Sequence, residues 1–234
     1  MTNQIEYGAA FAAWRDASGE VWPAYTRHAF VEGMRDGSLP RAAFIHYLIQ
    51  DYVFLVHFSR AWALAVAKAD TLDEMKAAAA TVNALVNHEM QLHIETCAAE
   101  GISEAELFNA SEEAANLAYT RYVLEAGYSG DFLDLMAALA PCVLGYGEIG
   151  ARLAQEATAD TPYRSWIEVY AGDEYQQVCR DVGALIDAAL IHRLGENYRD
   201  LPRWLQLQAR FDKATALEVD FWSMGLAGAK AEAA

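Results

Sequence analysis

The sequence predicts an all-α protein, a single domain over residues 1–234 built as a multi-helix bundle. Three observations predict it. No segment alternates apolar and polar residues over a useful length, so nothing reads as strand. Alanine-rich stretches with apolar residues at helical spacing run almost end to end. Proline, glycine and capping residues punctuate them, with no Ser/Gly-rich linker, repeat or low-complexity tract between. Helices of such lengths joined by short turns imply a bundle.

In chain order, helical pieces surround residues 11–14 and then 21–34. Asp36-Gly37-Ser38-Leu39-Pro40 is a stop and restart: glycine ends one helix, serine offers a cap, and proline suits the next first turn. A long helix follows over 41–68. Asp70-Thr71 starts another, which runs to Glu100 and stops at Gly101. Ser103 with Glu106 three later is a capping-box pattern. Helical spacing resumes over 112–126, and Gly127 and Gly130 bound a break. Asp131 caps a helix reaching Ala157. Thr161-Pro162 opens another, interrupted near Gly172 and continuing to Leu194. Leu201-Pro202 opens the last, which reaches Met224.

Composition narrows the function classes. A chain of 234 residues, 54% hydrophobic and 21% charged, has ample material for a core. Its net charge of −16 and pI ≈ 4.6 repel phosphate backbones, so no nucleic-acid partner is expected, and anionic lipid is disfavoured too. Cys97, Cys142 and Cys179 are far apart, odd in number and not in a CxxC pattern. That fits a reducing compartment and gives no zinc signature. Residues Met1-Thr2-Asn3-Gln4-Ile5-Glu6 have neither the basic region nor the apolar core of a signal peptide. No apolar run reads as long enough to span a bilayer, so a cytoplasmic location without a membrane partner is expected.

Chemistry centres first on Ala140-Pro141-Cys142-Val143-Leu144-Gly145-Tyr146-Gly147-Glu148-Ile149-Gly150. Cys142 and Tyr146 are four apart, on one face of a helix. Three glycines in six residues are a poor helix recipe and fit a place where something approaches the backbone closely. Alone, Cys142 reads first as a small packing hydrophobe. Asp51, inside an apolar run, shares a face with Phe54, Leu55 and Phe58, so it needs a partner if buried; Arg60 or Lys68 would serve. Tyr119 and Tyr122, and Tyr163, Trp166 and Tyr170, make aromatic stripes at helical spacing. These read as core or as a wall for a flat, hydrogen-bonding ligand. Glu218 lies one turn before Trp222: a carboxylate against an aromatic, suited to acid–base work, or a surface glutamate near a helix end. His88 and His93 flank Glu89 but are five apart, about 140° from each other on an ideal helix, so the zincin spacing fails. Glu89 and His93 read as a local helix-face pair. No metal is expected.

The run 44–68 (FIHYLIQDYVFLVHFSRAWALAVAK), Glu89-Met90-Gln91-Leu92-His93 with Gly101-Ile102, Ala118-Tyr119-Thr120, Ala140-Pro141-Cys142 with Gly145-Tyr146, 166–170, and Glu218 with Phe221-Trp222 together resemble the TenA/thiaminase II family, in order and over almost the whole chain. The resemblance implies a haem-oxygenase-like helical bundle, a homotetramer, no cofactor, and a small-molecule substrate. The implied reaction is hydrolytic release of an amine, or of the thiazolium of thiamin, from the methylene of a 4-aminopyrimidine, salvaging the pyrimidine half of degraded thiamin. It also implies roles. Cys142 resembles the family nucleophile and Glu218 its acid/base. Asp51 resembles the carboxylate holding the aminopyrimidine, and Tyr119, Tyr146 and Tyr170 its hydrogen-bonding and stacking tyrosines. Phe54 stands where many members carry another tyrosine, keeping the stacking surface and losing a hydroxyl. The leaving group and the division of proton transfer between Asp51 and Glu218 stay open. Giving the pyrimidine room is the role expected of the three glycines, so that Gly145→Val would block binding without unfolding the bundle.

Two other classes compete. An oxidase on the same bundle would need Glu-x-x-His ligands on facing helices, and none is present; haem would need His28 or His57 as axial ligand. A non-catalytic pyrimidine-binding or regulatory protein would keep the pocket without turnover.

Overall fold

A computed structural model describes residues 7–231; Met1-Thr2-Asn3-Gln4-Ile5-Glu6, read above as carrying no signal peptide, lie outside the described residues. Among the described residues all regular structure is helical. In order the helices are α1 (Ala9–Ala17), α2 (Val21–Thr26), α3 (Ala29–Asp36), α4 (Arg41–Lys68), α5 (Leu72–Ala84), α6 (Met90–Ala99), α7 (Glu104–Phe108), α8 (Ala114–Ser129), α9 (Phe132–Glu156), α10 (Arg164–Ala171), α11 (Asp173–Leu194) and α12 (Pro202–Ala231). A π turn at Leu85–Glu89 joins α5 to α6, and a short 3-10 turn spans Tyr198–Asp200.

The punctuation acts locally as its chemistry requires. Gly37 (φ 79°) and Gly101 (φ 84°) take the left-handed conformation that L side chains avoid, at the ends of α3 and of the run after α6. Thr71 with Glu74 and Ser103 with Glu106 form two complete capping boxes. Asp131 Oδ1 accepts from the Asp134 amide at 3.0 Å at the start of α9. α4 occupies the expected span.

Four expectations change. The piece 21–34 is two helices: the chain turns at Arg27-His28, and His28 Nδ1 accepts from the Phe30 amide at 3.2 Å, capping α3. Gly127 does not break α8, because it is packed against α4; a Cβ there would stand 2.8 Å from Leu64 Cδ1. α12 continues past Met224 to Ala231. Finally, α9 is long and apolar enough to cross a membrane by length and composition, against the reading that no run is. Its apolar window is 89% buried within the protein, the pattern of a core helix.

Backbone contacts divide the chain into two compact units. One comprises the chain to Leu39 with Met136–Val219; the other comprises Pro40–Leu135 and the chain from Asp220. In the first unit Phe11, Trp14, Trp22 and Phe211 pack as an aromatic core, with Trp14–Phe211 centroids 5.5 Å apart and Trp22–Phe211 5.6 Å. In the second, Tyr47, Phe54, Phe58 and Trp62 project from α4 among Tyr119, Phe221 and Trp222, all buried. Burying each such side chain removes on the order of 150–250 Å² of surface, so each aromatic core dominates its unit.

Candidate active site

In the first unit, α9 carries Cys142 just after Pro141, a proline inside the helix. Proline has no N–H for the helical ladder, which loosens the helix at the residue preceding the thiol. The Pro141 carbonyl accepts from Tyr25 OH at 3.2 Å. Cys142 is half-buried, whereas Cys97 and Cys179 are fully buried and none forms a disulfide. Burial pushes both other thiols up to about 12, with Asp51 adding to the effect at Cys97. Cys179 donates to the Val143 carbonyl at 3.4 Å.

One turn after Cys142, Tyr146 enters an aromatic cluster. Its ring lies 5.1 Å from Tyr170 and 5.9 Å from Trp166, and Trp166 and Tyr170 are 4.4 Å apart. Tyr175 closes the cluster edge-on to Tyr170 at 4.8 Å and donates its hydroxyl to the Val143 carbonyl at 3.2 Å. Gln176 ties the cluster's backbone together: its Nε2 donates to the carbonyls of Gly147 and Tyr170, both at 2.9 Å. Tyr7 OH in turn donates to Gln176 Oε1 at 2.6 Å. Tyr163, expected on the same stripe, instead precedes α10 and donates its hydroxyl to the Leu39 carbonyl.

The glycines of this stretch do admit close approach, but by the protein's own side chains. A Cβ on Gly145 would meet Tyr25 Cε1 at 2.4 Å, one on Gly147 would meet Cys179 Sγ at 2.5 Å, and one on Gly150 would meet the Tyr170 backbone at 2.5 Å. The expectation that they leave room for a pyrimidine is therefore corrected. Gly145→Val would drive its branched side chain into Tyr25 and disturb packing rather than binding alone. Glu148, on the same helix, accepts from Trp22 Nε1 at 2.9 Å and faces Arg15 at 3.4 Å. Glu218 is 1% exposed in the interior of α12, which removes the reading of a surface glutamate at a helix end.

In the second unit, Asp51 is buried on α4. Arg60 and Lys68 do not pair with it: Arg60 contacts His57, and Lys68 donates to the Gly130 carbonyl. Tyr47 OH donates to Asp51 Oδ2 at 3.3 Å, and His93 Nδ1 stands 3.7 Å from the same oxygen. Burial raises the Asp51 carboxyl to about 7, against the smaller lowering effect of the Tyr47 bond. Glu89, in the π turn, is likewise raised to about 7, by burial first and by Asp51 second. His93 is lowered by burial, and its Nε2 meets the Leu48 carbonyl at 2.6 Å. Glu89 and His93 thus turn toward α4 and Asp51, while His88 is exposed. The local Glu89–His93 pair read from the sequence gives way to a tertiary cluster. Phe54 lies 5.0 Å from Tyr119, 5.3 Å from Phe58 and 5.5 Å from Phe221, a stacking surface without its own hydroxyl.

The structure thus brings Tyr146 and Tyr170 together in one unit and Phe54 and Tyr119 in the other. Tyr175, Gln176, Glu89 and His93 were missed as partners of these groups. The i, i+4 spacing of Glu89 and His93 was visible; nothing in the sequence marked Gln176. The histidines considered as haem ligands are engaged: His28 caps α3, and His57 lies among Arg60, Arg121 and Glu112. Among the described residues, no group of three or more His, Cys, Asp or Glu side chains is arranged to hold a metal ion.

The helical architecture is of the haem-oxygenase-like class: a domain of unknown function from Shewanella denitrificans, described with that fold, superposes with a TM-score of 0.74 at 12% identity, covering 96% of this chain and 95% of that one. The model of the TENA/THI-4/PQQC family matches residues 15–228, and the chain belongs to that family. A crystal structure from Silicibacter sp., described as a TenA family transcription regulator, is 62% identical with a TM-score of 0.93, covering 94% of this chain and 97% of that one. The aminopyrimidine aminohydrolase of Halalkalibacterium halodurans is 35% identical over 208 residues, 87% of this chain and 89% of its own.

Proposed function

We propose that this protein is an aminopyrimidine aminohydrolase that releases an amine from the methylene of a 4-amino-2-methylpyrimidine. The observation that carries the reading is Cys142. It is the one thiol left partly exposed, beside a helix-internal proline and one turn from Tyr146 in the Trp166–Tyr170 cluster, while the other two are buried and hard to ionise. The 35%-identical relative named for this activity supports it.

In this mechanism the Cys142 thiolate adds to the ring carbon next to the one bearing the CH₂ group, while a ring nitrogen takes a proton from a carboxyl. The ring electrons then expel the amine, which leaves with a proton. Water adds at the exposed methylene and gives its proton to a carboxylate. The ring expels the thiolate and regains aromaticity. The balance is substrate plus water to hydroxymethylpyrimidine plus ammonia. Glu218 and Asp51 are the carboxyls assigned to these transfers, and Tyr119, Tyr146, Tyr170 and Phe54 are assigned to the ring faces and edges.

Incubation with 4-amino-5-aminomethyl-2-methylpyrimidine, the formylamino analogue and thiamin side by side should release hydroxymethylpyrimidine and rank the leaving groups. Cys142→Ala and Glu218→Gln should each lower turnover by at least about 100-fold. Near-normal turnover in either variant would overturn its assignment. The rival suggested by the Silicibacter description is a transcription regulator, which for this chain would mean binding to DNA. A net charge of −16 opposes the counterion-releasing contacts such a protein needs. That rival predicts duplex binding with no release of hydroxymethylpyrimidine.

A further inference from the structure

Asp51 is the buried carboxylate whose partners the function has not absorbed. Among the described residues four titratable groups engage it. Tyr47 faces it from its own helix and Glu89 from the π turn, with His93 and Cys97 both on α6. Tyr47 OH and His93 Nδ1 converge on a single oxygen, Oδ2, at 3.3 and 3.7 Å.

The other nitrogen of His93 fixes the tautomer. Nε2 lies 2.6 Å from the Leu48 carbonyl, which only accepts, so Nε2 carries the hydrogen. In the neutral ring Nδ1 is then a bare lone pair. At 3.7 Å the two atoms are beyond hydrogen-bond reach, but a lone pair facing a carboxylate oxygen is repulsive, and a proton on either group relieves the repulsion. The pair is neutral only with that proton present, either on Asp51 or on His93, and burial disfavours every arrangement with net charge.

We propose that His93 is a positioning residue that keeps one proton on the Asp51–His93 pair, so that Asp51 presents a neutral carboxyl to a ring nitrogen of the substrate. The inference rests on the aminohydrolase reading for its substrate, and on the α4–α6 geometry for the pair itself. On substrate protonation the hydrogen passes from Asp51 to the ring nitrogen. Asp51 is left as carboxylate beside the neutral imidazole, and the proton returns when the ring nitrogen gives it up. No bond to carbon changes in this step. His93 acts only through Asp51.

Two measurements separate this inference from the function on which it rests. The first is His93→Gln, whose amide keeps a donor for the Leu48 carbonyl but cannot take up a proton. The variant should fold and melt like the wild type. Its kcat should fall about tenfold at pH 7.5 while KM changes less than about twofold, and the alkaline limb of its pH profile should move to lower pH. His93→Phe, which loses the Leu48 bond as well, should lose both stability and turnover. An unshifted pH profile in His93→Gln overturns the proposal. The second needs no substrate: the His93 ring-proton NMR signal, titrated in the wild type and in Asp51→Asn. The wild type should show an inflection from the carboxyl that disappears in the variant. Identical titrations overturn the coupling. If the wild type releases no hydroxymethylpyrimidine, the functional reading falls alone, and the NMR result still decides the pair.

Discussion

A thiol reacts as its thiolate, so environment sorts three cysteines that the sequence presents as equals. Cys97 and Cys179 are fully buried with thiols near 12, which leaves about one thiolate in ten thousand at pH 8. Cys142 is half-exposed. Iodoacetamide on the native protein should therefore modify Cys142 first, with the other two labelled only after unfolding. Peptide mapping by mass spectrometry checks this, and early labelling of Cys179 would contradict it. The same sorting separates carboxylates. Asp51 was legible as a carboxylate on an apolar face, because a charged residue interrupts a hydrophobic run. Its partners were not, since Tyr47 sits one turn away but His93 arrives from α6, 42 residues later in the chain.

At the scale of the element, α9 illustrates why helix propensity misleads inside a core. Three glycines and a proline argue against a continuous helix, yet Phe132–Glu156 is one. The glycines let Tyr25, Cys179 and the Tyr170 backbone press against the helix, and the burial gained there outweighs the propensity lost. Gly145→Ala puts a methyl 2.4 Å from Tyr25 Cε1, so it should destabilise the protein by about 1–3 kcal/mol despite improving intrinsic helicity. Thermal or urea unfolding measures it, and a rise in stability would show that Tyr25 moves aside freely. The π turn at Leu85–Glu89 is a comparable case. A stretch read as uniform helix carries an extra-wide turn, and Glu89 at its end is directed toward Asp51.

For the whole molecule, buried carboxyls set how stability varies with pH. Asp51 has a folded value of about 7 against an ordinary 3.8, so the native state holds its proton more tightly than the unfolded chain. Its contribution is fully present below about pH 4 and is lost as pH rises through 7. Asp51→Asn should flatten that dependence and stabilise the protein at pH 8 relative to wild type, by on the order of 2–4 kcal/mol. Melting temperatures at pH 5 and pH 8 test it; a variant less stable than wild type at pH 8 would refute it. The sequence by itself determined the all-α class, the span of α4, the Ser103–Glu106 capping box and the family, because helical periodicity, caps and the order of motifs are local or linear properties. The interiors of these helices were less legible: a break was expected at Gly127, a surface glutamate at Glu218 was a live alternative, and room for a ligand was expected at Gly145. Only the tertiary structure decided those, along with which cysteine stays accessible and which groups surround Asp51. Burial, close approach and shared protons depend on side chains distant in sequence meeting in space, and no local pattern encodes which of them meet.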